Sequence, residues 1–226
     1  MTQPPAPVTL GMPYTAPMDL TRCRNVIIFG GSFDPPQRAH VELPEQVRRA
    51  IHADVVAYMP AARSPLKLGR RQASAEHRLN MLRLALADRP HTVVLTDELD
   101  RAADGRPSYT VDTLEALRRR LPAEVQLRLL IGADQVYTFD QWHRAARVIE
   151  LAQPIVMVRP PDTRATLLDA LTPTTRQQWE PRLVAVDAMP ISSTMVRESV
   201  QRNEPIDDLV PAPVARYIAE HDLYRE

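Results

Sequence analysis

The sequence predicts an α/β fold, a doubly wound parallel sheet of about five to six strands with helices on both faces. Three observations carry this expectation. Short apolar runs of strand length alternate along the chain with stretches of helical periodicity, the pattern of a parallel sheet covered on both sides. Two runs, 25–31 and 125–132, are rich in Val, Ile, Leu and Phe, as the buried strands of such a sheet are. Three of the six glycines, Gly30, Gly31 and Gly132, directly end those two runs. Glycine there permits a positive φ or a close backbone approach.

The elements follow in order. Residues 1–23 carry five prolines before position 21 and no apolar periodicity, which predicts a disordered Pro-rich extension. A single domain then spans 24–226, with a small helical part from about 190. Residues 25–31 read as a buried strand closing in a glycine turn. A helix over 39–53 follows, in which Pro44 is expected in the first turn, where a missing N–H costs nothing. Residues 54–60 read as strand, 73–87 as helix through Leu79, Leu82 and Leu86, and 92–96 as strand. Val111, Leu114 and Leu117 mark one face of a helix over 109–121, and 125–132 is the clearest buried strand. Short helical pieces reach 152, a strand covers 154–158, and the Pro- and Thr-rich stretch 160–181 reads as a peripheral excursion with a weak helix. A short strand at 183–186 and helices over 194–202 and 212–221 complete the order. In such a sheet, ligands bind beyond the carboxyl ends of the strands, where strand order switches. The glycine turns stand at those ends.

Composition narrows the function. A formal net charge of zero argues against bulk electrostatic binding to nucleic acid. No apolar run approaches the roughly 20 residues of a membrane span, and the start of the chain lacks the pattern of a secretory signal. The single cysteine, Cys23, allows neither an internal disulfide nor a cysteine-based zinc site, which fits a reducing cytoplasm. Among 28 basic residues only Lys67 is a lysine. No histidine pair shows ligand spacing, so no protein-held metal is expected. The arginine run 118–120 reads as a solvated helix end. The sequence leaves an oligomer possible.

The chemistry concentrates in a few segments. Gly30-Gly31-Ser32-Phe33-Asp34-Pro35-Pro36-Gln37-Arg38-Ala39-His40 joins the first strand to the first helix. A glycine turn feeding a helix N-terminus presents N–H groups and a positive dipole end to phosphate; a plain turn with a capping histidine is the alternative. The segment matches neither the dinucleotide fingerprint nor the P-loop. Ser192, Ser193 and Thr194 open a later helix, with Arg197 able to reach the same helix end. They read as a second anion site or as an ordinary cap. Asp134, just past Gly132, is placed either to accept from ribose hydroxyls or to cap a helix. Trp142 offers a flat face to a ring or to the core. Tyr109 and Thr110 begin a helix whose N–H groups suit a carboxylate or phosphate.

With these residues in view, the chain resembles the nucleotidyltransferase superfamily with its Gly-x-Phe-Asp-Pro-x-His-x-Gly-His signature. More narrowly, it resembles the bacterial nicotinate-nucleotide adenylyltransferases, from about Asn25 to Arg225. Pro107-Ser108-Tyr109-Thr110, Ile131-Gly132-Ala133-Asp134 with Phe139 and Trp142, and Ile191-Ser192-Ser193-Thr194-Met195-Val196-Arg197 match further family segments in order.

The resemblance implies a Rossmann-like, cytoplasmic enzyme of NAD biosynthesis. Its substrates would be ATP, bringing Mg²⁺ with it, and nicotinate mononucleotide. It implies catalytic roles for His40, Lys67 and Arg197. ATP would be held by Gly30, Gly31, Ser32, Phe33, Gln37, His40, Gly132, Asp134, Ile191, Ser192, Ser193, Thr194 and Arg197. The acceptor would be held by Ser32, Lys67, Tyr109, Thr110 and Trp142. Two family histidines are replaced, by Gln37 and Leu66, and the signature glycine by Ala39. Those replacements keep two alternatives open: a non-catalytic nucleotide sensor, and an adenylyltransferase for nicotinamide mononucleotide or another phosphate acceptor.

Overall fold

The computed structural model describes residues 19–62, 72–103, 109–160 and 162–225. Six strands form one all-parallel sheet: β1 (Asn25–Gly31), β2 (Val55–Pro60), β3 (Thr92–Val94), β4 (Gln126–Gly132), β5 (Ile155–Val158) and β6 (Leu183–Ala185), in the order β3-β2-β1-β4-β5-β6. This is the doubly wound, Rossmann-like arrangement that the alternating pattern predicts. The chain runs outward from β1 to β3, then returns to lay β4 against the other side of β1. The switch point therefore lies between the tips of β1 and β4, and both tips are glycine.

Side chains of successive strand residues point to opposite faces, and the two cores follow that alternation. Val26 and Ile28 join Leu127, Leu129 and Val156 on one face. There they pack under α4 (Thr110–Arg120) and α6 (Ala145–Leu151). Ile27 and Phe29 join Val56, Tyr58 and Leu130 on the other, under α1 (Arg38–Ala50), α2 (Ala75–Leu86), α9 (Ser193–Gln201) and α10 (Ala212–Glu220). Truncating any of these buried Leu or Ile side chains to Ala costs about 2–5 kcal/mol. The C-terminal helices thus complete a layer of the sheet: Val196, Val214 and Ile218 share a core with Leu43 and Met81.

Several expectations need correction. Pro44 is not in the first turn of α1 but in its second, inside the helix. It cannot donate to the carbonyl of His40; Tyr58, reaching up from β2, donates its hydroxyl to that oxygen instead, at 3.0 Å. The stretch 160–181 is not peripheral. It forms α7 (Arg164–Asp169) and α8 (Pro173–Trp179), and Leu167 and Trp179 lie in the core. Its Thr and Pro residues, which read as loop, are helix starts: Thr163 and Thr172 cap the two helices and Pro173 opens the second. Arg118 is not a solvated helix end, since its guanidinium donates to the carbonyls of Leu151 and Val125. A helix absent from the expectation, α3 (Asp97–Ala103), follows β3. Of the Pro-rich extension, Asp19 onward is described: Leu20–Arg22 forms a 3-10 turn capped by Asp19, with Leu20 and Cys23 against the core.

Candidate active site

Three strands of contact sew the loop after β1 to the start of α9, more than 150 residues later. Gln37 donates from Nε2 to the carbonyl of Ile191 (3.2 Å), Ser193 donates from Oγ to that of Pro35 (2.9 Å), and Arg197 donates from Nη1 to that of Asp34 (2.7 Å). Arg197 also donates to Thr194 Oγ1, and Ser192 caps α9 by accepting from Met195 N. Two helix starts and a guanidinium are thereby brought beside the switch point. The dipoles of both starts attract anions; at α1 the first N–H groups are taken by Leu209 O, Gln37 Oε1 and Gln37 O.

Within the loop, Gln37 caps α1. Its Oε1 accepts from Ala39 N at 2.5 Å, and the imidazole of His40 accepts at Nδ1 from the N–H of Gln37. That second bond fixes the ring and places its proton on Nε2. Gln37 is buried, with Oε1 and Nε2 both engaged. Its side chain fastens the loop to the turn, at a position where the resemblance implies a contact with ATP. Phe33 adopts a left-handed backbone (φ 47°), an uncommon state for a bulky residue. Its buried ring stands edge-on to His40 at 5.2 Å and to Phe29 at 5.7 Å. Gly31 is required by that ring, because a Cβ there would sit 2.9 Å from Phe33 Cζ. None of the three strand-tip glycines needs a positive φ; close approach is the reason at Gly31. Gly30 is exposed at the end of the central strand, where a Cβ would make only ordinary contact with Met59.

Across the switch point, Gly132 starts the short helix α5 (Ala133–Val136), and Asp134 is exposed in its first turn. Asp134 is not the cap. Its carboxylate folds back over Gly132, accepting from Gln135 Nε2 at 2.7 Å. Further along the same edge, Tyr109 immediately precedes α4 with no side-chain cap bond, and Thr110 is that helix's first residue. The first N–H groups of α4 have no partner within the helix. The ring of Tyr109 lies 4.3 Å from that of His143, and Trp142 is half-buried, stacked on Phe139 at 5.1 Å. Tyr109, Trp142 and His143 therefore form an aromatic edge on the β4 side of the cleft. Lys67 and Leu66 lie outside the described residues.

A cavity of about 530 Å³ extends the Arg197 end of the cleft, lined by Ser74, His77, Thr194, Arg197, Tyr224 and Arg225. Beneath it lies Arg78, 2% exposed. It donates to the carbonyls of Ser32, Ala61, Ala62 and Ala73. Burial lowers its pKa and the nearby Asp34 opposes the shift; a guanidinium stays charged regardless. Sequence reasoning missed Arg78. Its signal was an arginine in line with Met81, Leu82 and Ala85 on the buried face of α2.

The cytidylyltransferase-like profile matches residues 28–199. The chain belongs to the cytidylyltransferase-like family. Among full-length relatives, a protein of Bacillus pumilus (strain SAFR-032) named "probable nicotinate-nucleotide adenylyltransferase" is 34% identical over 201 residues, covering 89% of this chain and 98% of that one. One of the same name from Roseiflexus sp. (strain RS-1) is 38% identical over 200 residues, covering 88% and 96%. At this level of identity and coverage the chain falls in the nicotinate-nucleotide adenylyltransferase branch. The fold agrees with the solved nicotinic acid mononucleotide adenylyltransferase of Plasmodium falciparum in complex with APC, at TM-score 0.65 and 17% identity, covering 89% of this chain and 97% of that one.

This member of the cytidylyltransferase-like family keeps His40 of the signature and joins it, through Gln37, to the Ile191–Arg197 turn. No helix among the described residues is long and apolar enough to cross a membrane.

Proposed function

We propose that the chain transfers the AMP group of MgATP to nicotinate mononucleotide, giving deamido-NAD and pyrophosphate, in the cytoplasm. A phosphate oxygen of the mononucleotide attacks the α-phosphorus, and the bond to the bridging oxygen of pyrophosphate breaks in line. No covalent intermediate is required, so catalysis consists of positioning and charge stabilisation.

The observation that carries this reading is the three-fold fastening of the β1–α1 loop to the α9 turn at the switch point. It supports a single polyphosphate grip made by His40 Nε2–H, the first N–H groups of α9, the dipole of α1 and Arg197. Lys67 is assigned to that grip by resemblance alone. Asp134, over the β4 tip, suits the ATP ribose. The Tyr109–Trp142 edge and the first N–H groups of α4 suit a pyridine ring and its carboxylate. The groups around the phosphate region are donors, and the nearby carboxylate of Asp34 already accepts from Tyr224 Oη and Ala73 N. Magnesium is accordingly assigned to the substrate, riding on the triphosphate with most of its waters.

The test is incubation with MgATP and nicotinate mononucleotide, or nicotinamide mononucleotide in parallel, with pyrophosphate and dinucleotide both measured. Equimolar deamido-NAD and pyrophosphate are expected. ATP binding without pyrophosphate release would replace this reading with a nucleotide sensor, and faster turnover of the amide would reassign the acceptor.

A further inference from the structure

Tyr224 lies 190 residues from Asp34 in sequence, yet its hydroxyl donates to Asp34 Oδ1 at 2.7 Å. The same carboxylate oxygen accepts from the N–H of Ala73, just before α2. The backbone carbonyl of Asp34 accepts from Arg197 Nη1 at 2.7 Å. Asp34 is thus gripped at both ends: its side chain by the C-terminal segment and the approach to α2, its carbonyl by the arginine assigned to phosphate. The residue is 4% exposed, so water cannot substitute for a lost partner.

Two features indicate that Tyr224 is held in place for this contact. Its backbone is left-handed (φ 66°), as is that of Asp222 (φ 49°). Such conformations are disfavoured for a non-glycine residue and persist where the surroundings dictate them. Its hydroxyl is also kept protonated: burial first, then Asp34, push its pKa far above the ordinary phenol value. It therefore remains a donor at any pH the protein meets.

We infer that Tyr224 is a positioning residue for the phosphate grip. It locks Asp34, and Asp34 in turn sets the direction of Arg197. Arg197 has two donors committed on the protein, to Asp34 O and Thr194 Oγ1, which aim its remaining guanidinium protons. If Asp34 can rotate, that aim is lost although every cation remains in place. The inference rests on the reading of Arg197 as a phosphate ligand, and the experiment separates the two.

The variant is Tyr224→Phe, which keeps the ring and removes the donor, in the wild-type and Arg197→Met backgrounds. The readout is equilibrium binding of MgATP, which needs no turnover. Tyr224→Phe is expected to weaken binding about fivefold when Arg197 is present, and less than twofold in Arg197→Met, because contacts acting through one group are not additive. Equal weakening in both backgrounds, or none in either, overturns the inference. A merely structural role would lower the melting temperature and weaken binding alike in both backgrounds. Arg197→Met that binds MgATP as tightly as wild type overturns the phosphate role of Arg197 and, with it, this inference. Failure of the wild type to release pyrophosphate while the coupling persists overturns the proposed reaction alone.

Discussion

Pro44 and Tyr58 offer a sharp test of how the site's first helix is held. Pro44 sits within α1 and is buried, so the His40 carbonyl lacks its usual helical donor. Tyr58, 1% exposed, supplies the missing bond at 3.0 Å. Tyr58→Phe removes only an oxygen, and the ring keeps its edge contact with Phe29 and its tilted contact with Phe33. What it removes is the hydroxyl's bond to the part-buried His40 carbonyl, at a cost of about 0.5–1.5 kcal/mol. For a chain of this size, 1 kcal/mol moves the melting temperature by about 2–4 °C. Pro44→Ala restores a backbone N–H where the proline had none, so the helix can satisfy His40 itself. Tyr58→Phe should then cost less than about 0.5 kcal/mol. The assay is urea denaturation of the four proteins of this double-mutant cycle. A coupling of about 0.5 kcal/mol or more supports the reasoning. Equal costs of Tyr58→Phe in both backgrounds would refute it, showing that the hydroxyl does not stand in for the missing N–H.

Other perturbations have equally definite outcomes. His40→Ala should lower kcat about 100-fold or more, since a donor to developing charge is typically worth that much; steady-state pyrophosphate release measures it. Gly31→Ala drives a methyl into the buried ring of Phe33 and should destabilise by about 1–3 kcal/mol. Gly132→Ala meets only the carboxylate tip of Asp134, which can swing away. It should leave stability near wild type and raise KM for ATP. Burial pushes the Glu98 carboxyl up to about 7, against the pull of Arg101. Because the folded pKa is raised, the folded state binds the proton more tightly. The associated stability is present below the unfolded pKa and is lost as pH rises from about 4.5 towards 7. Glu98→Gln should therefore stabilise at pH 8, by up to about 3 kcal/mol, and change little at pH 4.5, as read by thermal melts.

The parts of this molecule legible in its sequence are those governed by local pattern. Short apolar runs marked every strand to within about two residues at either end, most clearly β1 and β2, whose side chains are buried on both faces. The loop after β1 and the Ile191–Arg197 turn were legible as helix starts. What escaped depended on distant partners. Thr163, Thr172 and Pro173 look like loop residues until the helices they start are seen to carry Leu167 and Trp179 inward. Gln37 looked like a neutral substitute for a histidine. Its role as a strap exists only because Ile191, 154 positions later, lies against it. Arg78 sits where an apolar side chain would be expected, and only the four carbonyls converging on it explain the charge.

The pairing of β1 with β4 has a consequence for how the enzyme comes into being. The strands from β1 to β3 belong to the first half of the chain, whereas β4 and the α9 turn belong to the second. Neither half alone owns a pocket, because each contributes one wall. The cleft is a seam, created at the moment the halves dock and absent from anything less. Competence to grip a nucleotide is therefore a report on completed folding, and a chain arrested partway would be inert rather than partly active.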